Sequence, residues 1–232
     1  MDQLIVTLDG PAGSGKSSVA RFLAKRLGLE FLDTGAMYRG LTAKALHRGI
    51  NPATESHAVI ELARNTPMRF DWNEDPPRLY VGKLDVTDRI RDRDVTGSTS
   101  EVACLAAVRQ VLVETQRRIG KEHPKLVTEG RDQGSVVFPQ ANVKFFLDAT
   151  PTIRAKRRVL QLQEAGKRAD LEQIRRDIIE RDRRDSTRKE GPLICPDDAI
   201  RVDTSGMNRE QVISHLENLV REKMNIPPSP DQ

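Results

Sequence analysis

The sequence has few cysteines, few aromatic residues and no long apolar run. Its two cysteines, Cys104 and Cys195, form no CxxC or Cys/His spacing, so neither a disulfide framework nor a zinc site is indicated. No stretch approaches the roughly 18 consecutive apolar residues that a bilayer helix needs. The N-terminal MDQLIVTL lacks the basic start and long apolar stretch of a secretion signal. These absences predict a cytoplasmic protein that does not interact with membranes.

Aromatic side chains make up 4% of the chain, and none follows Phe146. This matters because the segment from Arg154 to Lys189 is basic, with 13 Lys and Arg against seven Asp and Glu. A basic stripe can bind nucleic acid, but without aromatic residues it offers bases nothing to stack on. Arginine outnumbers lysine by 27 to 11, and its planar fork suits bidentate phosphate contacts. Phosphorylated small molecules are therefore the predicted partners, and nucleic acid is not.

The chain has 232 residues, of which 37% are hydrophobic and 31% charged. This length fits one compact domain with an insertion, and the composition is sufficient to bury a core. Leu23 and Leu27 lie on one face of a predicted helix that Gly28 ends, and similar helical patterns alternate with short apolar runs. The alternation predicts an α/β fold with a five-stranded parallel sheet flanked by helices. The predicted strands are Leu4 to Leu8, Leu29 to Leu32, Leu126 to Thr128, Val143 to Leu147 and Ile200 to Val202.

Between about Ala63 and Thr96 the pattern changes to MRFDW, NEDPP and RLYVG. This resembles two strands joined by a polar turn, so residues 63–96 are predicted to form a small β insertion. The core is then 1–62 and 97–225, and the proline-rich tail 226–232 is predicted to be disordered.

The segment between the first strand and the next helix matches GxxxxGK[ST] over Gly10–Ser17. Glycines allow the backbone to form an anion-binding nest, and N–H groups at a helix start point toward phosphate oxygens. Lys16 is expected to reach the β- and γ-phosphates, and the Ser17 hydroxyl to help hold Mg²⁺. The motif therefore predicts a nucleotide with β- and γ-phosphates, and Mg²⁺, as ligands. The predicted contacts are Gly10, Pro11, Ala12, Gly13, Ser14, Gly15, Lys16, Ser17 and Ser18, with Ser17 as the metal ligand.

A phosphate-binding loop alone fits GTPases, helicases, transporter ATPases and small-molecule kinases. No NKxD guanine motif is present, because the segment Asn142 to Phe145 has the wrong last residue and lies on a predicted strand. Motor ATPases usually belong to larger chains, so the length favours a kinase of small metabolites. Arg39 and Arg131 each follow the carboxyl end of a predicted strand, where open α/β sheets bind ligands. Two guanidinium groups there could clamp one monophosphate.

Three further segments resemble one family, the bacterial-type cytidylate kinases. They are DTGAMYR at 33–39, GRDQGSVVFP at 130–139, and ERDRRD at 180–185 with Arg188. The likeness runs from Leu4 to about Val220 and includes the β insertion. It implies a nucleotide-binding P-loop kinase with a short lid at about Gln163 to Asp170. The implied reaction transfers the γ-phosphoryl group of ATP to CMP or dCMP in pyrimidine nucleotide metabolism.

The resemblance also implies residue roles. Thr34, where the family often has serine, would contact the acceptor phosphate with Arg39 and Arg131. Ser100, Arg109, Asp132 and Arg188 would read cytosine, while Asp185 would contact the sugar and Arg181 the phosphate region. Arg154 would lie over the adenine and Arg158 nearer the transferred phosphate, although the adjacent Arg157 leaves that assignment open. Glu129 stands where relatives commonly have aspartate, and it could hold a Mg²⁺-bound water. The predicted catalytic set is Lys16, Arg131, Arg158 and Arg181.

Simpler interpretations stay open for several of these residues. Ser100 is a plausible N-cap for the helix that carries Arg109. Arg181 and Asp185 could form an ordinary i,i+4 ion pair. Arg39, Arg109 and Arg188 could be solvated helix charges, and Asp132 could only orient its neighbour Arg131.

Two alternative functions also stay open at this point. The first is a P-loop kinase of another small acceptor, such as UMP, AMP or shikimate. The second is a nucleic-acid-binding protein in which the P-loop acts as a switch. The histidines His47, His57, His123 and His215 form no cluster and receive no catalytic role. We expect the protein to be a monomer.

Overall fold

The computed structural model describes residues 3–164 and 166–227. The chain divides into two compact units, one formed by Met1–Phe31 with Pro124–Gln232 and the other by Leu32–His123. We call them the core unit and the second unit. The first elements are β1 (Leu4–Asp9), α1 (Lys16–Leu27) and β2 (Glu30–Asp33), the last of which spans the division. The core unit then continues with β6 (Lys125–Glu129), a short π-helix (Gln133–Val137), β7 (Val143–Asp148), α6 (Pro151–Glu164), α7 (Leu171–Thr187), β8 (Ile200–Asp203) and α8 (Arg209–Met224).

The main sheet has five parallel strands in the order β2-β6-β1-β7-β8, which confirms the predicted fold class. Each strand lies at one of the five predicted apolar runs. The central strand β1 pairs with β6 and β7, so that Val6 lies between Val127 and Val143. All six residues of β1 are buried, which explains its continuous apolar run. The segment that follows β1 therefore starts at the carboxyl edge of the sheet, where such sheets bind ligands.

The hydrophobic core of this unit lies between the sheet and the helices α1 and α8. Leu23 on α1 and Leu216 on α8 are fully buried together with the strand residues Val6 and Leu147. Gly28 ends α1 in the left-handed conformation, with φ of 63°, as its sequence position predicted.

The second unit contains α2 (Thr34–His47), α3 (Ser56–Asn65), β3 (Met68–Asp71), β4 (Arg78–Val81), β5 (Leu84–Asp85), a 3₁₀ turn (Arg89–Arg91), α4 (Arg93–Cys104) and α5 (Ala106–Glu122). Its strands form an antiparallel three-stranded sheet, β3-β4-β5, inside the range predicted for the β insertion. The sequence predicted two strands because β5 has only two residues. Gly40 on α2 allows close packing, since a Cβ there would lie 2.8 Å from Leu79 Cδ2.

The predicted lid, Gln163 to Asp170, falls at the connection between α6 and α7, of which Ala165 lies outside the described residues. Most of the predicted disordered tail, residues 228–232, also lies outside them. Among the helices that are described, none combines the length and apolar character needed to cross a membrane.

Candidate active site

The loop between β1 and α1 has the backbone that its glycines predicted. Gly10, Gly13 and Gly15 have φ values of 145°, 77° and 90°, a region that side chains rarely adopt. A Cβ at Gly10 would lie 2.1 Å from the carbonyl oxygen of Leu147, so no other residue fits there. Gly15 is the N-cap of α1 and has no side chain to cap the helix. The first N–H groups of α1 thus lack a side-chain cap and are suited to phosphate oxygens.

Lys16 is the first residue of α1 and is buried, with 4% of its surface exposed. Its Nζ donates to Pro11 O at 2.8 Å and lies 3.4 Å from Ser14 Oγ, so the ammonium group is held within the loop. Burial, together with the positive charge of Arg131, lowers the pKa of Lys16 to about 7, while Glu129 opposes the shift. The charge of Arg131 therefore acts on the lysine of the phosphate-binding loop.

Ser17 and Glu129 meet beside the loop. The Ser17 hydroxyl donates to Glu129 Oε1 at 2.7 Å, and Glu129 is 4% exposed at the end of β6. A hydroxyl and a carboxylate are hard oxygen donors of the kind that suit Mg²⁺ together with phosphate oxygens and water. Among the described residues, no group of three or more His, Cys, Asp or Glu side chains is arranged to hold a metal ion, so the protein would supply few of the ligands.

Sequence reasoning missed Asp9, the last residue of β1. Its side chain is fully buried and accepts the backbone N–H groups of Gln133 and Gly134 at 2.9 and 2.7 Å. Burial raises the pKa of Asp9 to about 6, against the effect of those two hydrogen bonds. The available signal was a carboxylate that ends an otherwise apolar strand directly before a phosphate-binding loop.

Arg131 is held by Asp185 of α7. Arg131 Nε donates to Asp185 Oδ2 at 2.8 Å, and both side chains are 18% exposed. Although burial opposes it, the Arg131 charge keeps the pKa of Asp185 below its ordinary value, with help from Arg181 and Arg188. Asp185 is therefore not simply the i,i+4 partner of Arg181, because it also accepts a hydrogen bond from the loop after β6.

Asp132 and Arg188 are also in the core unit. Asp132 is 6% exposed, and its backbone carbonyl accepts the N–H groups of Val136 and Val137 in the π-helix. Arg188 follows α7, where its Nε donates to Gly191 O at 2.5 Å and its Nη1 lies 3.7 Å from Asp185 Oδ1. The interpretation of Arg188 as a solvated helix charge is wrong, because its side chain is 14% exposed and lies against Asp185.

The three neighbouring arginines of α6 have different environments. Arg154 is 3% exposed and donates to Ala12 O in the phosphate-binding loop at 2.9 Å and to Asp182 Oδ2 at 2.6 Å. Arg157 donates to Thr204 Oγ1 at 3.1 Å and therefore anchors the turn after β8. Arg158 is exposed, with a weak contact of 3.4 Å to Gln161. Of the three, Arg158 is the one whose guanidinium is accessible for a ligand.

In the second unit, Thr34 and Arg39 belong to α2. Asp33 caps this helix by accepting the N–H of Ala36 at 2.7 Å, and its other oxygen accepts Arg39 Nη2 at 2.8 Å. Thr34 is 3% exposed at the first helical position. Asp33 therefore fixes both the start of the helix and the direction of Arg39, whose side chain is 27% exposed. Arg39 is an oriented side chain and not a freely solvated helix charge.

Two sequence interpretations of Ser100 and Arg109 are wrong. Ser100 does not cap the helix of Arg109, because it lies inside α4, whereas α5 begins at Ala106 with Leu105 as its N-cap. The sequence interpretation had placed the start of the Arg109 helix five residues too early. Arg109 is not a surface charge, since it is 5% exposed and its guanidinium lies 5.6 Å from the centre of the Tyr38 ring.

Several arginines of the basic stripe from Arg154 to Lys189 form ion pairs with carboxylates of the same segment. On α7, Arg175 pairs with Glu172 and Arg183 with Glu180, each at 2.9 Å. Such pairs are ordinary features of a solvated helix and reduce the field that a nucleic acid would meet.

The family model described as cytidylate kinase matches residues 6–222 of the chain. The chain belongs to the cytidylate kinase family. A cytidylate kinase from Mycolicibacterium paratuberculosis is 44% identical over 96% of this chain and 97% of its own length. A cytidylate kinase from Clostridioides difficile is 42% identical over 93% of this chain and 97% of its own. As a member of the cytidylate kinase family, the protein is an ATP-dependent nucleoside monophosphate kinase, a transferase.

Solved structures share the fold at much lower identity. An uncharacterised protein from Eubacterium ventriosum superposes with a TM-score of 0.51 at 11% identity, covering 94% of this chain and 98% of its own. This likeness concerns the fold alone. The cytidylate kinase assignment therefore rests on the sequence matches.

Proposed function

We propose that the protein transfers the γ-phosphoryl group of ATP to CMP or dCMP, giving ADP and CDP or dCDP, in pyrimidine nucleotide metabolism. The observation that carries the proposal is the hydrogen bond from Arg131 to Asp185, together with the electrostatic effect of Arg131 on Lys16. Lys16 belongs to the loop suited to the donor phosphates, and Arg131 belongs to the segment assigned to the acceptor. A phosphoryl transfer needs both phosphates beside each other, with their charge neutralised.

The donor side of the proposal is the segment Gly10 to Ser18. Backbone N–H groups of the loop and Lys16 would bind the ATP phosphates, and Arg154 would lie near the adenine. Ser17 would hold Mg²⁺, and Glu129, which accepts its hydroxyl hydrogen bond, would hold a water of the ion. When bound, Mg²⁺ supplies charge neutralisation on the phosphate oxygens.

The acceptor side is proposed to use the residues that the family resemblance assigns to CMP. Thr34, Arg39 and Arg131 would contact the CMP phosphate, with Arg181 contributing charge. Asp185 would contact the sugar. Cytosine would be read by Ser100, Arg109, Asp132 and Arg188. The burial of Arg109 and Asp132 supports a recognition role, because buried polar groups select ligands that satisfy them.

The proposed chemistry needs no strong general base. The attacking group is a phosphate oxygen of CMP that is already ionised near pH 7, since the second pKa of a phosphomonoester is about 6. Lys16, Arg131, Arg158 and Arg181 would align the two phosphates and balance the charge that moves between them. Arg158 would supply the accessible cation of α6.

A coupled assay of ADP formation tests this function. The purified protein is given ATP, Mg²⁺ and one acceptor at a time: CMP, dCMP, UMP, AMP or shikimate. We expect the highest kcat/KM with CMP or dCMP. If another acceptor gave a higher kcat/KM, that acceptor would be the substrate and the proposal would be wrong. Omission of Mg²⁺ with added chelator should remove the activity.

The same protein is proposed to act as a cytoplasmic monomer without nucleic acid. The ion pairs of α7 support the last point, because they neutralise part of the positive charge of the basic stripe. CMP-dependent ADP release in the absence of nucleic acid separates this proposal from a nucleic-acid-binding switch. Sedimentation velocity measures the oligomeric state.

A further inference from the structure

Asp9 joins the end of the central strand to the segment that carries Arg131 and Asp132. Its Oδ1 accepts the N–H of Gln133, and its Oδ2 accepts the N–H of Gly134, at 2.9 and 2.7 Å. These are the two residues that directly follow Asp132. On its other side, Asp9 is followed by Gly10, the first residue of the phosphate-binding loop. Asp9 thus contacts the segment after Asp132 with its buried carboxylate and directly precedes the phosphate-binding loop.

The segment that Asp9 holds is closely packed. Gly130 N donates to Leu8 O at 3.0 Å, and Thr128 Oγ1 donates to Gln133 Oε1 at 2.9 Å, so both ends of the segment are tied to the sheet. Gly134 permits this approach, because a Cβ there would lie 2.9 Å from Thr7 Oγ1 and 3.4 Å from Asp9 Oδ2. Displacement of the Asp9 carboxylate would therefore displace the backbone next to Asp132.

Packing alone does not account for a carboxylate at this position. A buried ionisable group is costly unless its oxygens are hydrogen-bonded, and an apolar residue would fit the end of an apolar strand at lower cost. Asp9 accepts two backbone N–H groups with its two oxygens, an arrangement that neither asparagine nor leucine can reproduce. The gain is a fixed position of one segment relative to another.

We infer that Asp9 is a positioning residue that holds the Arg131–Asp132 segment in register with the phosphate-binding loop. The inference rests on the proposed function, because that function makes Arg131 and Asp132 contacts of the acceptor. Asp9 does not touch either substrate in this account. Its loss should impair the use and selection of CMP more than the binding of ATP.

The test compares Asp9→Asn with the parent protein in three measurements: kcat/KM for CMP, the ratio of kcat/KM for CMP to that for UMP, and the Kd of ATP without acceptor. Asparagine keeps the size but turns an amide N–H₂ toward one of the two backbone donors. A misplacement of about 1 Å can cost on the order of 100-fold in rate. We expect kcat/KM for CMP to fall at least about tenfold and the ratio at least about fivefold, with the ATP Kd within about threefold.

Asp203→Asn is the matched control. Asp203 ends strand β8 of the same sheet, is exposed, and accepts one backbone N–H, that of Ser205, at 2.9 Å. The Asp203→Asn variant should leave all three measurements unchanged. The inference would be overturned if Asp9→Asn weakened ATP binding as much as it lowered kcat/KM for CMP, or if it changed neither. An inactive parent would refute the proposed function in the first assay, whereas an active parent with an unaffected variant would refute the positioning role alone.

Gly134→Ala tests the same contact from the opposite side and keeps the Asp9 charge. The added methyl group would lie 2.9 Å from Thr7 Oγ1 and 3.2 Å from Lys144 Cδ, so the backbone at Gly134, which donates to Asp9, or these side chains must shift. A reduced CMP to UMP ratio with retained ATP binding is expected again. If Asp9→Asn does not fold, Gly134→Ala decides: an unchanged ratio in a folded Gly134→Ala protein would contradict the inference.

Discussion

Arg131 and Asp185 lie 54 residues apart in the chain, yet Arg131 Nε donates to Asp185 Oδ2 at 2.8 Å. The pair joins the loop after β6 to helix α7. Each charge stabilises the other, so the pKa of Asp185 lies below its ordinary value and that of Arg131 above it, although burial opposes both shifts. The direction of the Arg131 guanidinium is therefore set by Asp185.

Asp185→Asn should misdirect Arg131 and leave its charge without a carboxylate partner. We expect the free energy of unfolding to fall by about 1–3 kcal/mol, because both side chains are mostly buried. The kcat/KM for CMP should fall as well. Urea denaturation and the coupled assay measure the two effects. Asp177→Asn, an exposed carboxylate on the same helix, serves as control and should change neither.

Lys16→Ala should abolish phosphoryl transfer and leave a folded protein. The Lys16 cation meets charge that grows on the β–γ bridge in the transition state, and loss of one such contact costs about 100-fold or more. Circular dichroism checks the fold and the coupled assay the rate. Lys25→Ala, an exposed lysine near the end of the same helix, should keep parental activity. Turnover of Lys16→Ala within a few-fold of the parent would refute the assignment of the donor loop.

Asp132→Ala should reduce the preference for CMP over UMP. Cytosine presents an N4 amino donor to a carboxylate and an N3 acceptor to an arginine, whereas uracil presents an oxygen and an N–H at these two places. Two mismatched buried contacts, at about 1–3 kcal/mol each, predict a parental preference on the order of 30-fold to 10⁴-fold in kcat/KM. The measurement is kcat/KM for both acceptors in parent and variant. Equal losses on both would mean that Asp132 only orients its surroundings.

Asp9 should make stability depend on pH between about 4 and 6. Its pKa is raised from 3.8 to about 6 in the folded protein, because burial disfavours the charged form. The folded state therefore holds this proton more tightly than the unfolded chain, and the free energy of unfolding falls as pH rises through this window. Between pH 4.5 and 7 the loss from Asp9 is about 2 kcal/mol. Urea denaturation of parent and Asp9→Asn at both pH values isolates it. A stability difference between the two proteins that is the same at both pH values would contradict the shift.

The two cysteines should differ in reactivity. Cys104 is exposed, whereas Cys195 is half-buried, and burial raises the pKa of the Cys195 thiol. The thiolate is the reactive form, so Cys195 should react several-fold more slowly than Cys104 at pH 7.5. Iodoacetamide labelling followed by mass spectrometry measures both rates. Cys104→Ser should remove the fast phase and Cys195→Ser the slow one; the reverse assignment would show the prediction to be wrong.

Local patterns in the sequence predicted most of the fold. Each of the five strands and the glycine end of α1 depends on residues close together in the chain, because apolar runs and helix caps act locally. The same reasoning placed the start of α5 at Ser100 instead of Leu105 and missed β5. A break at Leu105 and a two-residue strand are set by contacts with other elements, which periodicity does not record.

The sequence by itself determined the phosphate-binding loop, since Gly10 to Ser17 needs its own glycines and its own helix start. It also determined the order of strands and helices along the chain. Tertiary structure decided the partners of the charged side chains: Asp185 with Arg131, Asp182 with Arg154, and Asp9 with the backbone of Gln133 and Gly134. The physical reason is that a carboxylate finds its partner by distance in space, and parallel strands bring together ends that lie more than a hundred residues apart.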